Sequence, residues 1–348
     1  MSAQCDSASV PVSSWRSARL FVTDEFKAPP VILRVDDSVI GTLGNFSAST
    51  GKAKSKKTFN VCAIVAAAMT GGTVLNYSAS LPPERQRILY VDTEQSRFHC
   101  KRVLCRILRL AGLPTDAHPP LLEFLCLRGY ATKERLRKVE EAIYDLDDLG
   151  LVVIDGIRDL AHDINSPGEA TDLITKLMQW TDERRIHIHT VLHLNKGDDN
   201  TRGHLGTELN NKAETVLQIT KDDFDRDISS VAAMHIRDRD FEPFGFRINA
   251  DALPELVEGY RLRPTTTAKS FDYAEVSEAK HREALELLFS EADRISYSSL
   301  IGRLQSSYAT IGHSFGINKA KQLKVFLENK RMIVKEDKFY RYNPDFHY

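Results

Sequence analysis

Residues 51–58 read GKAKSKKT, with four lysines in eight positions. A phosphate-binding loop has the form G-x-x-x-x-G-K-[ST] between a strand and a helix. Starting from Gly51, every anchor of that pattern is present except the second glycine, whose place Lys56 takes. A register starting at Gly44 has the wrong spacing and ends in Ala53, which has no hydroxyl to offer a metal ion. In the register from Gly51, the Lys57 amine meets terminal phosphates and the Thr58 hydroxyl holds the metal. The rest of the loop (Gly51, Lys52, Ala53, Lys54, Ser55 and Lys56) wraps the phosphates with backbone N–H groups at a helix N-terminus. The competing reading is a lysine-rich solvated turn. The segment that follows, TFNVCAIVAAAM, is apolar nearly all round, as in a helix buried against a sheet, and a solvated turn needs no such anchor.

Two further segments end apolar runs with acids. LGLVVIDG (149–156) places Asp155 at the end of a strand, where it can hold Mg2+ through water. YVDTEQS (90–96) places Glu94 just past another strand, where a carboxylate can orient and deprotonate an attacking water. Asp92-Thr93-Glu94 also reads as helix-start chemistry, and that alternative stays open. The spacing predicts Lys57 and Asp155 on neighbouring strands, with both motifs at the C-terminal ends of a parallel sheet, where open α/β sheets bind ligands.

The elements that must position these groups follow from the hydrophobic pattern. Strands are expected at 45–50, 87–92, 122–127, 150–155, 188–194, 215–219 and 231–236, and helices at 57–70, 96–111, 133–147 and 170–185. Near-continuous apolar strands alternating with helices predict an α/β fold with a mostly parallel sheet covered on both faces. The later strands succeed one another without helices and predict an antiparallel extension. The expected division is a loose tail (1–28), the α/β domain (29–250), a linker (251–276) and a small C-terminal domain (277–348).

Composition sets outer bounds. The 348 residues are 42% hydrophobic and 27% charged with a net charge of −1, so nucleic-acid contact has to come from local patches. Five cysteines (Cys5, Cys62, Cys100, Cys105 and Cys126) form no CxxC pair and read as thiols of a reducing compartment. The start of the chain lacks a signal-peptide pattern, and the apolar run 61–69 is far short of the roughly 20 residues a bilayer span takes. The expectation is a cytoplasmic protein without membrane contact. His187, His189 and His193 share a strand face, yet no cysteine or acid has the spacing to complete a zinc site with them.

Taken in order, these motifs resemble those of a RecA-fold P-loop ATPase, of the RepA/DnaB-like hexameric helicase branch found among plasmid and mobile-element replication or mobilisation proteins. The resemblance covers about residues 30–250. It implies ATP and Mg2+ as ligands, Glu94 in DTEQS as the catalytic glutamate and Asp155 as the Walker B aspartate. It further implies His193 and Asn195 as γ-phosphate sensors, and Arg237 and Arg239 as a strand-borne pair reaching the ATP of a neighbouring subunit. At spacing two, that pair would project from one strand face. The loop 197–206, with Arg202 and His204, corresponds to a region that faces the central channel or DNA in such proteins, which implies nucleic-acid contact there; a surface loop is the alternative. A homo-oligomer, a ring hexamer acting on single-stranded or duplex DNA, is the implied assembly.

The last seventy or so residues predict three helices followed by a hairpin, the element order of a winged helix. Between Gly312 and Arg341 eight basic residues face three acidic ones, a local charge of +5. Lys319, Lys321 and Lys324 on the third helix and Lys335 and Lys338 on the hairpin are the expected DNA contacts. Protein docking is the alternative use of such a module. The functions weighed are an ATP-hydrolysing DNA motor or assembly factor, a DNA-binding regulator with a nucleotide-gated or inert ATPase-like domain, and a filament-forming recombination mediator.

Overall fold

The computed structural model describes residues 15–194, 203–262 and 272–346. The chain divides into two compact units at Leu262/Arg263.

The first unit opens with β1 (Val31–Val35), β2 (Ser38–Thr42) and β3 (Phe46–Gly51), then α1 (Lys57–Thr70), β4 (Thr73–Val74) and β5 (Tyr77–Ala79). β6 (Arg87–Asp92), α2 (Arg97–Leu110), β7 (Leu122–Cys126), α3 (Thr132–Asp145) and β8 (Leu149–Asp155) follow. Next come α4 (Pro167–Arg184), β9 (His187–His193), α5 (Gly203–Lys212) and β10 (Thr215–Lys221). β11 (Ile228–Ile236), β12 (Phe244–Ile248) and β13 (Pro254–Val257) complete it.

Nine of these strands form one sheet in the order β13-β12-β11-β10-β3-β9-β8-β6-β7. The six from β10 to β7 run parallel, and β11 to β13 extend the sheet antiparallel, as the helix-free spacing of the later strands predicts. The fold is therefore α/β with a mostly parallel central sheet. One apolar core joins α1 and α2 to one face of the sheet through Val61, Ile64, Val103, Ile107, Val153 and Leu217. The other joins α3, α4 and α5 to the opposite face through Val139, Leu177, Leu209, Val152 and Ile188. α1 is buried along most of its length, which explains why its sequence is apolar on every side.

Two expectations change, and one sheet is new. β9 lies between β3 and β8, so the strands that carry the loop and Asp155 are not neighbours. β13 forms within the stretch expected to be linker, because it pairs with β12 from Gly245↔Val257 to Ile248↔Pro254. A second, four-stranded sheet, β2-β1-β5-β4, packs its apolar residues onto α1 and has no counterpart in the sequence reading.

The centre of the large sheet carries a row of buried polar side chains. His187 Nδ1 lies 2.8 Å from the Thr42 carbonyl, which can only accept, so Nδ1 carries the proton. Ser47 then donates to His187 Nε2 (2.7 Å) and accepts from His189 Nδ1 (2.8 Å), and Ser49 donates to His189 Nε2 (2.8 Å). Both histidines are fully buried and neutral; burial lowers His187 to about 4 and His189 to about 3 from an ordinary 6.5.

The second unit contains α6 (Glu278–Phe289), β14 (Ile295–Ser296), α7 (Tyr297–Thr310), α8 (Ile317–Asn329), β15 (Ile333–Glu336) and β16 (Phe339–Tyr342). Its three helices enclose an apolar core with a sheet of order β14-β16-β15. Ser296 caps α7 by accepting from Ser299 N.

The neutral histidines give a signed pH dependence. Each has a depressed folded pKa, so its contribution is complete above pH 6.5 and is lost as pH falls toward 4 and 3. By pH 5 the loss is about 2 kcal/mol per histidine. Urea unfolding at pH 7.5 and 5 should show the difference shrinking by about that amount in His189→Gln. An unchanged difference would contradict the neutral row.

Candidate active site

The loop after β3 turns sharply because Gly51 sits against β10. A Cβ at that position would lie 2.2 Å from the Ile219 carbonyl oxygen and 2.6 Å from Ser55 Oγ, so no other residue fits. Beyond it Lys54 (φ 66°) and Lys56 (φ 68°) both take the left-handed conformation. Lys56 is the residue immediately before α1 and gives it no side-chain cap, and the first turn of α1 holds no acid. The unpaired N–H groups of that turn therefore face an opening free of negative charge on the helix itself.

Lys56 stands where the loop pattern has its second glycine. Its left-handed backbone is the one a glycine would adopt without steric cost, and a lysine there carries roughly 1–2 kcal/mol of strain. Its amine does not serve the loop either: it donates to the Asp227 carbonyl at 2.5 Å, in the β10–β11 turn. Burial and nearby Lys221 lower its pKa.

Lys57 is almost fully buried and points back into the loop. Its amine donates to Gly51 O (2.8 Å), Lys52 O (3.0 Å) and His193 Nδ1 (3.0 Å), which uses all three protons. Burial lowers it to about 8, with Asp155 and Glu94 opposing that shift. With Nδ1 accepting, His193 presents its Nε2 proton toward Glu94 Oε1 at 3.6 Å. That contact holds the Glu94 carboxyl below its usual range against the effect of burial.

Thr58 donates to Asp155 Oδ2 at 2.9 Å, although β9 separates their strands. The first turn of α1 bridges the gap by crossing the end of β9, where Asp155 is level with Val191 and Val191 with Ser49. Tyr90 donates to the same carboxylate oxygen at 3.0 Å, and burial pushes its own pKa well above 10. Burial, with Asp92 adding repulsion, raises Asp155 to about 6.

Asp92 does the helix-start work weighed for this segment. Its carboxylate accepts from Glu94 N (3.0 Å), Gln95 N (2.7 Å) and Gln95 Nε2 (2.7 Å) and so fixes the turn that presents Glu94. The two readings of DTEQS thus describe different residues: Asp92 holds the turn, and Glu94 faces the opening.

Lys57, Thr58, Asp155, Glu94 and His193 border one cavity of about 370 Å3, which continues between α1 and α2 past Phe59, His99 and Arg102. Arg106 closes its floor, lying 3.7 Å above the Phe59 ring and donating to the Ala252 carbonyl at 3.1 Å. These residues and Tyr90 went unread in the sequence. For Tyr90 the signal was available, as a hydroxyl two positions before Asp92 on the same strand face. A larger cavity, about 860 Å3, lies beside the edge strand β7 and includes none of these five residues.

The donor set fits a nucleotide with Mg2+. Ser55 Oγ and Thr50 Oγ1 are buried at the loop without a hydrogen-bond partner. The Lys57 amine rests on carbonyls that phosphate oxygens can replace, and the Thr58 hydroxyl and Asp155 carboxylate, one against the other, are hard oxygen ligands.

Other sequence expectations stand apart from the cavity. Arg237 and Arg239 are exposed and follow the end of β11, so strand alternation does not set their direction. Arg237 donates to the Lys212 carbonyl. Ile236 is level with Thr215 and Ser47, at the start of β3, whereas the loop leaves the other end of that six-residue strand. At about 3.3 Å per residue the five steps between the two ends span about 16 Å. His204 lies exposed on α5. Asn195 and Arg202 are outside the described residues.

The two adjacent lysines should separate cleanly on substitution. Lys56→Met keeps nucleotide affinity within about threefold, since a charge spent on an exposed carbonyl contributes little, while Lys57→Met abolishes binding. Gly51→Ala destabilises by about 1–3 kcal/mol through overpacking against β10. Fluorescent-nucleotide titration and chemical denaturation read these outcomes; loss of binding in Lys56→Met would contradict the placement of its amine.

Among curated proteins nothing matches the chain. A solved structure titled crystal structure of the RadB recombinase is similar at 14% identity and a TM-score of 0.45, over 62% of this chain and 92% of that one. At that level the likeness adds nothing to the topology read from the strands. Residues 16–199 match the family described as AAA domain, a span that includes the loop, Glu94, Asp155 and His193 and stops short of Arg237 and the second unit. With more than half of its length matched, this chain belongs to the AAA domain family.

Proposed function

We propose that this protein hydrolyses ATP and couples the hydrolysis to work on DNA, as a motor or assembly factor of the hexameric replicative or mobilisation helicase kind, acting on plasmid or mobile-element DNA. The observation that carries the reading is the convergence of Lys57, Thr58, Asp155 and Glu94 on one cavity at the C-terminal ends of β3, β6 and β8.

In this reading the phosphates replace the carbonyls now held by Lys57, and the N–H groups of the loop and first helical turn bind their oxygens. Thr58 and Asp155 hold Mg2+, which when bound neutralises phosphate charge. Tyr90 and Thr58 keep the Asp155 carboxylate oriented, and Asp92 keeps Glu94 facing the attacking water. His193, between Lys57 and Glu94, is placed to respond to the terminal phosphate. The groove past Phe59, His99 and Arg102 offers room for the nucleoside.

Arg237 and Arg239 sit at the wrong end of the sheet to serve their own chain, which supports a role at the site of a neighbouring subunit. Hydrolysis then depends on oligomerisation, with a ring hexamer the proposed assembly. For the DNA contact we take the second unit as a winged helix. Lys321, Lys335 and Lys338 are exposed and serve that role best. Lys324 is paired with Glu328 and lies over the Tyr340 ring, and Lys319 lies over the Tyr273 ring, so these two contribute less.

The strained Lys56 backbone favours one other reading, a DNA-binding regulator that binds nucleotide without turning it over. ATP turnover with and without DNA separates the two. Wild type should hydrolyse ATP faster with DNA, and Glu94→Gln should bind ATP with turnover reduced about 10²–10⁴-fold. Arg239→Ala should be inactive alone yet regain activity when mixed with Glu94→Gln, because mixed rings contain interfaces with both groups intact. Equal turnover in wild type, Glu94→Gln and Arg239→Ala would overturn the enzymatic reading.

A further inference from the structure

Glu94 and His193 border a second cavity, about 680 Å3, that does not include Thr58 or Asp155. The two residues thus form a wall, with the nucleotide cavity on one side and this opening on the other. Four basic side chains, Lys52, Arg128, Arg135 and Arg158, line it against two carboxylates, Glu94 and Asp159.

The charges are not equivalent. Asp159 is taken by Arg135 at 3.4 Å and by the Thr93 hydroxyl at 3.1 Å. Arg135 also donates to the Leu127 carbonyl (3.0 Å) and the Arg128 carbonyl (2.9 Å), which makes it a fixed part of the wall. Arg128 and Arg158 are exposed and form no ion pair among the described residues. A backbone constraint brings Arg158 to this place. Gly156 has φ 105°, and a Cβ there would lie 2.2 Å from Thr93 Oγ1 and 3.1 Å from Glu94 Cγ. The chain after Asp155 is pressed against Thr93 and Glu94, and the 3-10 turn Ile157–Leu160 then carries Arg158 close enough to favour the ionised form of Glu94.

The direction of phosphoryl transfer gives this cavity a use. A water held by Glu94 attacks the γ-phosphorus in line with the bridging oxygen. One O–P bond forms, the bridging O–P bond breaks, ADP keeps the bridging oxygen, and the proton from water passes to Glu94. The phosphate therefore moves away from ADP toward the Glu94 side, where the arginine-lined opening lies.

We propose that Arg128 and Arg158 form a second phosphate-binding site, across the Glu94–His193 wall from the cavity that Lys57, Thr58 and Asp155 border. The phosphate group it takes has two possible sources, the inorganic phosphate product and a backbone phosphodiester of a nucleic-acid strand. The product source rests on the proposed ATP hydrolysis; the arginine site itself does not.

The test uses the full chain saturated with Mg-ADP, so that loop 51–58 is filled. Inorganic phosphate, and separately a short oligothymidylate, are titrated by calorimetry into wild type and into Arg128→Gln/Arg158→Gln. Loss of two charge-assisted contacts predicts phosphate affinity about tenfold weaker or more in the double variant, with ADP affinity unchanged as the check on folding. Weakening for the oligonucleotide alone also supports the site and assigns it to the nucleic-acid backbone. Equal affinities of the two proteins for both ligands, or no binding of either to wild type, overturns the proposal. If wild type fails to bind ADP, the ATPase reading fails by itself, and the same comparison without nucleotide still decides on the arginines.

Discussion

A triphosphate brings several negative charges into a protein, and they must be met by groups that are already in place and already desolvated. In the proposed function that requirement falls on the turn between β3 and α1. The close approach of Gly51 to β10 makes the turn tight, and the tightness aims the first turn of α1 across the end of β9. The hydrogen bond from Thr58 to Asp155 depends on that crossing. So does the burial of the Lys57 amine among carbonyls that it can exchange for phosphate. A looser turn would leave the same residues present and unable to act together.

The sheet beneath supplies rigidity. α1 is packed on all sides, between the large sheet and the four-stranded sheet that the N-terminal hairpin forms with β5 and β4. The row from Thr42 through His187, Ser47 and His189 to Ser49 has one consistent set of donors and acceptors. A register slip of β9 against β3 would break every one of those bonds, so the row specifies the alignment that puts His193 level with Gly51. His193 then joins the loop amine to Glu94, and the state of one side of the site is felt at the other.

The chemistry-bearing segments were legible because their signals are local. An apolar run ending in an acid locates Asp155 and Glu94 at the strand ends that border the cavity, and the all-apolar segment after GKAKSKKT predicts the buried α1. What escaped depends on long-range pairing or on backbone conformation. The order of strands cannot be read from their spacing, so the insertion of β9 between β3 and β8 was unforeseen. The strands β4, β5 and β13 have two to four residues each and exist because of their partners. The left-handed backbone of Lys56 has no signature in a residue type that usually avoids it. The end of β11 one residue before Arg237 removes the alternation from which the shared face of Arg237 and Arg239 was expected. Arg128 and Arg158 are ordinary surface arginines until Gly156 folds the chain back onto Thr93.

In the proposed function, loop 51–58 with Thr58 and Asp155 receives a nucleotide together with a divalent cation. Calorimetric titration of the intact protein with a non-hydrolysable ATP analogue, once with Mg2+ and once with chelator, addresses it without relying on turnover, DNA or assembly. The heat of binding should be strongly reduced when Mg2+ is removed, and that Mg2+ dependence should be lost in Thr58→Val. No heat in either condition, or binding of equal strength with and without the metal, would contradict it.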